Sequence, residues 1–162
     1  MPKLISALCA VITLLAISSC SNDDSKDEPL PVGYEWIDPI FAQVLQERGY
    51  IADSKTVTPL DVADLEKIDV SATYDNRGPI TYVKGLEYFK SLKVFRCDYN
   101  QLTSLDISNN QNLTIFDCRY NPGVNNKFIV TSWFDSSSVP ADFSKESWNY
   151  NGNIVTIEYR KP

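Results

Sequence analysis

Two nine-residue rows decide the fold: LKVFRCDYN at residues 92–100 and LTIFDCRYN at residues 113–121. They are offset by 21 residues and agree at five of nine positions, namely Leu, Phe, Cys, Tyr and Asn. Phe and Cys are two positions apart in each row, so a short β-strand would point both to the same face. One strand cannot bury that face alone. The repeat therefore predicts a short β-solenoid whose coils stack in register, with like residues lying on one another.

A longer coil precedes the two rows. The stretch LEKIDV at residues 65–70 follows the same apolar frame 27 residues earlier, and DNRGP at 75–79 is an extra loop within it. The repeats therefore span residues 65–126 and make about three coils, the minimum that a solenoid needs. Asn100 and Asn121 stand where each strand would turn. The short side-chain amide at that position can form hydrogen bonds with the backbone groups that follow the strand, which predicts a structural role for both asparagines.

Residues 37–64 predict a helical N-terminal cap. Asp38 is a favourable N-cap residue, and Pro39 suits the first position of a helix. The apolar stripe expected along this helix consists of Ile40, Phe41, Val44 and Leu45. Thr58 and Asp61 have the spacing of a capping box, so a second, shorter helix is expected to begin there.

Residues 127–162 predict a C-terminal cap made of β-strands, because a solenoid needs cover where its last coil would expose an apolar edge. Residues 127–134 read as a strand and 135–146 as a polar loop. Residues 148–159 read as a hairpin around an Asn-Gly turn. Three aromatic residues are expected to pack this cap, with an aromatic ligand site as the alternative: Trp133, Trp148 and Tyr159.

The apolar matches of residues 92–110 and of the partial copy at 113–121 follow the order L-x-x-L-x-C-x-x-N, with Phe at the second apolar position of both rows. In this the chain resembles the leucine-rich-repeat lipoproteins found on the surface of Gram-negative gut anaerobes. The segment GLEYF at 85–89 is similar to the start of that family's first full repeat. The resemblance implies an α+β solenoid: a short leucine-rich-repeat β-solenoid of about three coils with a helical N-terminal cap and a β-hairpin C-terminal cap. It is specific for fold rather than for activity.

The N-terminus carries an apolar run over residues 4–17, with Lys3 as the only charge before it. The run is too short for a permanent membrane span, which predicts a removable signal. The stretch ISSC, ending at Cys20, looks like a lipobox, the site where a lipoprotein signal peptidase cuts before an acylated cysteine. Residues 1–19 are therefore predicted to be a lipoprotein signal peptide, and Cys20 to carry a diacylglycerol thioether and an amide-linked chain such as palmitate. An ordinary signal peptide cut nearby is the alternative.

Residues 20–36 are predicted to be a lipid anchor and a flexible tether, because residues 21–31 are polar, acidic and bounded by proline. In the lipoproteins that this chain resembles, acids just after the lipidated cysteine mark export to the outer face of the outer membrane. The NDD at residues 22–24 fits that signal. The resemblance thus implies a protein held to the membrane by its N-terminal lipid, located in the outer membrane and exposed at the cell surface.

Composition excludes several classes of function. The chain has no histidine and a formal net charge of −6, which becomes −7 when Lys3 leaves with residues 1–19. The negative charge argues against nucleic acid as a partner. The lack of histidine removes the commonest general base and the usual zinc sites. The ADSKT at residues 52–56 has a single carboxylate where a calcium loop needs several. We therefore predict no enzymatic activity, no catalytic residue, no metal site and no cofactor.

Two cysteines remain in the mature chain, Cys97 and Cys118, and the repeat places both on the inward face of neighbouring coils. A disulfide or a metal pair is one interpretation. A column of buried thiols is favoured, because free cysteine packs as a small apolar residue and parallel in-register strands seldom give the dihedral angle that a disulfide needs.

In-register stacking places outward polar side chains in two rows: Asp69, Arg96 and Asp117 in one, and Ser71, Asp98 and Arg119 in the other. Charge alternates along each row, which predicts ion pairs between neighbouring strands. Carboxylates flanked by arginine should stay ionised. This argues against a glycosidase, which needs one carboxyl group with a raised pKa.

Tyr99 and Tyr120 are predicted to form a second column at the strand ends. Two stacked, exposed aromatic rings could hold a sugar ring or an apolar side chain of a partner, or could cover the turn beside each asparagine.

The leading hypothesis is a non-enzymatic, lipid-anchored module that mediates protein–protein recognition with an unidentified partner. The alternative is a glycan-binding lipoprotein associated with polysaccharide capture through the tyrosine column. The candidate partner-binding residues are Val94, Arg96, Asp98, Tyr99, Ile115, Asp117, Arg119 and Tyr120.

Overall fold

The computed structural model describes residues 30–162, so the predicted signal peptide, Cys20 and the tether up to residue 29 lie outside the described residues. The described part contains two α-helices, seven β-strands and two 3₁₀ turns. The helices are α1 (Pro39–Glu47) and α2 (Leu60–Ala63), and the 3₁₀ turns are Gly33–Glu35 and Leu86–Tyr88. The strands are β1 (Lys67–Asp69), β2 (Val94–Arg96), β3 (Ser104–Asp106), β4 (Ile115–Asp117), β5 (Lys127–Thr131), β6 (Trp148–Tyr150) and β7 (Asn153–Arg160).

The strands form two sheets. Sheet 1 is parallel, in the order β1-β2-β4, with Ile68 beside Phe95 and Phe95 beside Phe116. Sheet 2 has the order β3-β5-β7-β6, in which β3, β5 and β7 are parallel and β6 is antiparallel to β7. Successive coils contribute to both sheets, which makes a β-solenoid of about three turns. The stacking that the repeat predicts is confirmed, because the rings of Phe95 and Phe116 are stacked, with centroids 6.3 Å apart.

The apolar side chains of both sheets form one hydrophobic core. Leu102, Leu105 and Ile107, on the return side of the second coil, are all buried there. Leu105 lies at the centre of β3, where it pairs with Val130 of β5. Full burial of such a side chain stabilises the folded state by about 1.5–3 kcal/mol, so the pairing of β3 with β5 in the core contributes to the stability of both. The strands of the C-terminal stretch therefore continue a sheet that begins within the repeats.

Helix α1 begins where the sequence predicts. The Asp38 carboxylate accepts a hydrogen bond from the backbone N–H of Phe41 at 2.9 Å, and Pro39 occupies the first helical position. The predicted apolar stripe is wrong at one residue, since Ile40 is 39% exposed whereas Ala42 is fully buried. The stripe is centred on the residues from Phe41 to Leu45, and at 100° per residue Ile40 falls beyond its border.

Residues 33–36, which the sequence analysis assigns to the tether, pack against the folded unit. Trp36 is 3% exposed, and its indole Nε1 donates to the main-chain oxygen of Val57 at 3.0 Å. The backbone N–H of Gly33 donates to the same oxygen at 2.7 Å. Gly33 has φ +55°, and a Cβ there would lie 2.2 Å from the main-chain oxygen of Lys55, so this close approach requires glycine.

Two side chains that follow α1 cover the free edge of β1. Arg48 donates to the main-chain oxygens of Asp69 at 3.0 Å and Ser71 at 2.5 Å. The Tyr50 hydroxyl accepts from the backbone N–H of Asp69 at 2.9 Å. These bonds satisfy backbone groups that an open sheet edge leaves unpaired.

At the other edge of sheet 1, part of the predicted polar loop over 135–146 lies beside β4. The backbone N–H of Phe116 donates to the main-chain oxygen of Asp142 at 3.2 Å, and the N–H of Ser144 donates to that of Phe116 at 2.9 Å. Phe143 is 4% exposed, and its ring lies 5.5 Å from that of Phe116. The segment is a loop, as predicted, but the burial of Phe143 within it was not expected. A single Phe among polar residues has no periodicity that would indicate its burial.

The predicted hairpin is present, with β6 and β7 joined by Asn151 (φ +50°) and Gly152 (φ +83°). Trp148 and Tyr159 are buried, and the indole N–H of the first and the hydroxyl of the second donate to main-chain oxygens at 2.8 and 2.7 Å. Trp133 is half-buried and packs edge-on against two phenylalanine rings. Satisfied hydrogen bonds and burial favour packing over an aromatic ligand site for these residues.

Candidate functional site

Two buried asparagines, which we call the asparagine ladder (Asn100 and Asn121), hold the turns after β2 and β4. The Nδ2 of Asn121 donates to the main-chain oxygens of Cys97 at 3.1 Å and Cys118 at 2.9 Å, and so joins two coils. Its Oδ1 accepts from the N–H of Leu102 at 2.9 Å. Asn100 makes the corresponding bonds one coil earlier. Both asparagines are structural, as predicted, and they fix where the chain leaves sheet 1.

The outward side chains of β2 and β4, with the residues just after each strand, form one surface that we call the outer face. The outer face consists of Val94, Arg96, Asp98, Ile115, Asp117 and Arg119. Val94 lies beside Ile115, and Arg96 lies between Asp69 and Asp117, so the predicted register is confirmed. The backbone hydrogen bonds between β2 and β4 continue past the strand ends, because the N–H of Tyr99 donates to the main-chain oxygen of Arg119.

The predicted ion pairs between strands are wrong for the outer face. Arg119 turns back along its own coil to Asp117, with Nε 3.0 Å from Oδ1 and Nη2 2.6 Å from Oδ2. The Ser144 hydroxyl donates to the same carboxylate at 2.9 Å. Residues two apart on an extended chain point to one side, so this pair forms without crossing to the next coil. A cross-coil ion pair forms elsewhere, between the exposed side chains of Lys93 and Glu66 at 2.6 Å.

The two carboxyl groups of the outer face differ in pKa. Burial opposes ionisation of Asp117, but the hydrogen bonds from Arg119 and Ser144 outweigh it and lower the pKa. For Asp98, burial is the main cause of a raised pKa, and the nearby charge of Asp117 adds to it, although a hydrogen bond from Ser71 acts in the other direction. Arginine therefore lowers the pKa of Asp117, as predicted, but not that of Asp98. Its arginine neighbour is committed to Asp117 instead.

Arg96 differs from the other charged residues of the outer face. Its side chain is exposed, and within residues 30–162 its guanidinium has no hydrogen-bond or ion-pair partner. It lies at the border of an open groove of about 480 Å³ between β4 and the segment 141–146. The groove is also lined by Ile115, Asp117 and Arg119 on one side and by that segment on the other. Four of the eight predicted partner-binding residues therefore meet in one depression.

Tyr99 and Tyr120, which we call the tyrosine stack, lie at the strand ends as predicted. Their rings are nearly parallel, at an angle of 13° and with centroids 4.3 Å apart. Both residues have positive φ, +58° and +60°, because the asparagine ladder requires a left-handed turn just before each asparagine. Burial is the first cause of a raised pKa at Tyr99, followed by the neighbouring phenol of Tyr120.

Two residues that the sequence analysis missed surround the tyrosine stack. The Arg77 guanidinium lies 4.4 Å from the ring centre of Tyr150 and 5.9 Å from that of Tyr99. Its Nη1 donates to the main-chain oxygen of Tyr120 at 2.6 Å. Arg77 thus links the extra loop of the first coil to the C-terminal hairpin. The repeat spacing predicts the extra loop but not what it packs against, since the contact between Arg77 and Tyr120 joins residues 43 positions apart in the sequence.

Cys97 and Cys118, which we call the thiol column, are free and fully buried. Burial raises the pKa of both thiols well above the ordinary value. The two cysteines therefore form a column of buried thiols, as favoured from the sequence, and are not joined by a disulfide.

Comparisons with protein-family models, with curated proteins and with solved structures give no match to this chain. Among residues 30–162, each helix is too short or too polar to span a bilayer. The outer face, the groove and the tyrosine stack are therefore interpreted from their own geometry.

Proposed function

We propose that this chain is a small leucine-rich-repeat module whose outer face recognises a protein partner. In-register strands in sheet 1 and an asparagine ladder at its turns support a leucine-rich-repeat assignment, since the second and third coils both have the order L-x-x-F-x-C-x-x-N, a variant of the leucine-rich-repeat pattern. The helices before sheet 1 and the hairpin after it then serve as the terminal caps that such arrays need.

The observation that carries the proposal is the composition of the outer face. Val94 and Ile115 lie side by side at the starts of β2 and β4 and are half-buried, so they leave apolar surface at that end of sheet 1. Beside them stand Arg96, whose guanidinium has no partner among residues 30–162, and the ion pair of Asp117 and Arg119. Apolar surface next to an exposed arginine, with further polar groups around them, is a composition found at protein-binding surfaces. With only about three coils the surface is small, so binding should be weak or multivalent.

Two observations support a non-enzymatic role, although Asp98 has the raised pKa that one carboxyl group of a glycosidase needs. The chain has no histidine. The carboxylate of Asp117 is held by Arg119 and Ser144, which fits a structural ion pair better than a proton donor.

The glycan-binding alternative would use the tyrosine stack. The two rings cover one another, and an arginine lies within 6 Å of each ring centre, Arg77 for Tyr99 and Arg119 for Tyr120. Sugars bind aromatic side chains through open ring faces, so this arrangement favours the protein-binding proposal. Loss of polysaccharide binding in a Tyr99→Ala/Tyr120→Ala double variant would reverse that preference.

We also propose lipid attachment at Cys20 and a location on the outer surface of the outer membrane. Metabolic labelling with an alkyne fatty acid should mark the chain, and Cys20→Ala should abolish the label. Protease treatment of intact cells should remove the folded unit if it faces outward. If the chain is labelled but protected from protease, the proposed lipid attachment stands and the proposed location on the outer surface is wrong.

A site-specific photo-crosslinker tests the recognition role. It is placed in the full chain at Ile115 on the outer face, and in a control at Ser104, which is exposed at the first position of β3 in sheet 2. After irradiation of intact cells, a defined protein adduct is expected from position 115 and not from position 104. Equal labelling at both positions, or none at 115, would contradict the proposal.

A further inference from the structure

We infer that the partner presents a carboxylate, from an aspartate, a glutamate or a chain terminus, to the guanidinium of Arg96. This inference rests on the proposed function, because it names the chemistry that the outer face would recognise. It starts from the position of Arg96 between two acidic residues that do not use its hydrogen-bond donors.

Both acidic neighbours of Arg96 are engaged elsewhere. Asp69, on β1, accepts from the backbone N–H of Ser71 at 3.1 Å. Asp117, on β4, accepts from Arg119 and from Ser144. The two carboxylates favour a cation between them by their charge, yet their own bonds leave the five N–H donors of the guanidinium free for another group.

The groove gives a carboxylate access to these donors. Its volume of about 480 Å³ has room for several side chains, and it opens to solvent between β4 and the segment 141–146. The charges of Asp117 and Arg119 neutralise one another at close range. The other charged residues of the lining are a cation, Lys145, and the acids Asp142 and Glu146, all exposed on the segment. The lining thus has three cations and three acids, and the local positive charge at the sheet is that of the Arg96 guanidinium itself.

The residues beside Arg96 suit a protein ligand rather than a free anion. Val94 precedes it on the outward side of β2, and Ile115 lies across from Val94 on β4. A side chain that reaches Arg96 would therefore rest its methylene groups on two branched aliphatic residues. Partial removal of water at this contact would strengthen the charge-assisted bonds, which are bidentate when a planar guanidinium meets a carboxylate.

The chemistry of arginine gives the inference a specific signature. A lysine at this position would keep the charge but lose the planar fork that binds two carboxylate oxygens at once. Arg96→Lys should therefore bind more weakly than the unchanged chain but more tightly than Arg96→Gln, and Arg96→Glu should bind most weakly of all.

The test uses the full chain and the partner captured from position 115. Affinity for that partner is measured for Arg96→Gln, Arg96→Lys and Arg96→Glu, with Lys90→Gln and Lys90→Glu as controls that change charge at an exposed turn away from the outer face. We expect a loss of about tenfold or more for Arg96→Gln, a larger loss for Arg96→Glu and less than about twofold for the controls. Circular dichroism checks that the exposed substitutions leave the fold intact.

The decisive step is rescue by exchange of charge. Mass spectrometry locates the crosslinked segment of the partner, and each acidic residue in it is changed to lysine. One such change should restore the affinity of Arg96→Glu by about tenfold or more while weakening binding of the unchanged chain. Retained affinity in Arg96→Glu would overturn the carboxylate inference and leave the proposed function standing. A crosslink to residues 21–29 of the same chain, or to a second copy, would overturn it by naming a different occupant. If position 115 yields no adduct, the proposed function fails, and this inference fails with it.

Discussion

Removal of the Asn121 amide should destabilise the solenoid more than any single outer-face substitution. Asn121 is fully buried at the turn after β4, and Asn121→Ala leaves two buried backbone groups without a partner. One is the N–H of Leu102, which the Oδ1 accepts at 2.9 Å, and the other is the main-chain oxygen of Cys118, to which the Nδ2 donates at 2.9 Å. The main-chain oxygen of Cys97 keeps its bond to Asn100 at 3.1 Å.

The expected magnitude follows from these two groups. An unsatisfied buried donor or acceptor costs about 1–3 kcal/mol, so the loss should be about 2–6 kcal/mol. Small domains are stable by only about 5–15 kcal/mol, and Asn121→Ala should therefore remove a large part of the free energy of unfolding at 25 °C.

Urea unfolding followed by tryptophan fluorescence measures the effect. Asn112→Ala is the matched control, since the exposed Asn112 amide donates to a single main-chain oxygen, that of Lys90, at 2.9 Å. We expect a change of less than about 1 kcal/mol for the control, because water replaces the lost bond. A loss of less than about 1 kcal/mol for Asn121→Ala, with an unchanged urea slope, would refute the structural role that we assign to the asparagine ladder.

Three further predictions concern packing, pH and the thiols. Gly78→Ala would place a Cβ 2.0 Å from the Oδ1 of Asn100, so it should lower the urea midpoint by an amount equivalent to about 1–3 kcal/mol. The lowered pKa of Asp117 means that its stabilising contribution is present above the unfolded pKa and is lost as pH falls through the folded pKa; Asp117→Asn should therefore destabilise at pH 7, with the difference from the unchanged chain shrinking in acid. The pKa of Asp98 is raised, so its ionisation opposes folding as pH rises through that pKa, and Asp98→Asn should stabilise at pH 7 relative to its effect in acid. Parallel pH profiles of unfolding free energy for the two variants would contradict at least one of the two signs. The thiol column should resist iodoacetamide in the folded protein and react in urea, as peptide mass spectrometry would show, and rapid alkylation under native conditions would contradict its burial.

The repeated rows were sufficient to predict the stacking and register of sheet 1. The reason is physical: inward positions such as Phe95 and Phe116 must match in size and polarity when coils stack, so identity recurs in the sequence at the coil length. The asparagine ladder and the thiol column follow from the same constraint. Helix α1 was predictable as well, because Asp38 and Pro39 specify a helix start through local chemistry alone.

Contacts that depend on one side-chain choice or on distant chain segments were not predictable. Register places Arg119 near both Asp98 and Asp117, but only the geometry of the coil decides that it pairs with Asp117. Phe143 packs against Phe116 at one edge of sheet 1 without any repeating pattern. Trp36 packs elsewhere, against Tyr88, from a stretch whose neighbours are those of a linker. Each of these contacts depends on a single side chain in its segment, so neither the periodicity nor the composition of the sequence predicts it.

The closed edges of sheet 1 bear on how a partner could approach. Arg48 and Tyr50 bind the outer backbone groups of β1, and Ser144 binds the main-chain oxygen of Phe116 at the outer side of β4. A strand from another molecule could add to either edge only by displacing these bonds, which makes edge-to-edge association costly. What remains accessible on sheet 1 is the side chains of the outer face, and there the free guanidinium of Arg96 supplies donors that its own coils leave unused. Recognition by this solenoid should therefore depend on side-chain identity at the outer face, and a proline placed in a partner peptide to block strand pairing should leave binding unchanged.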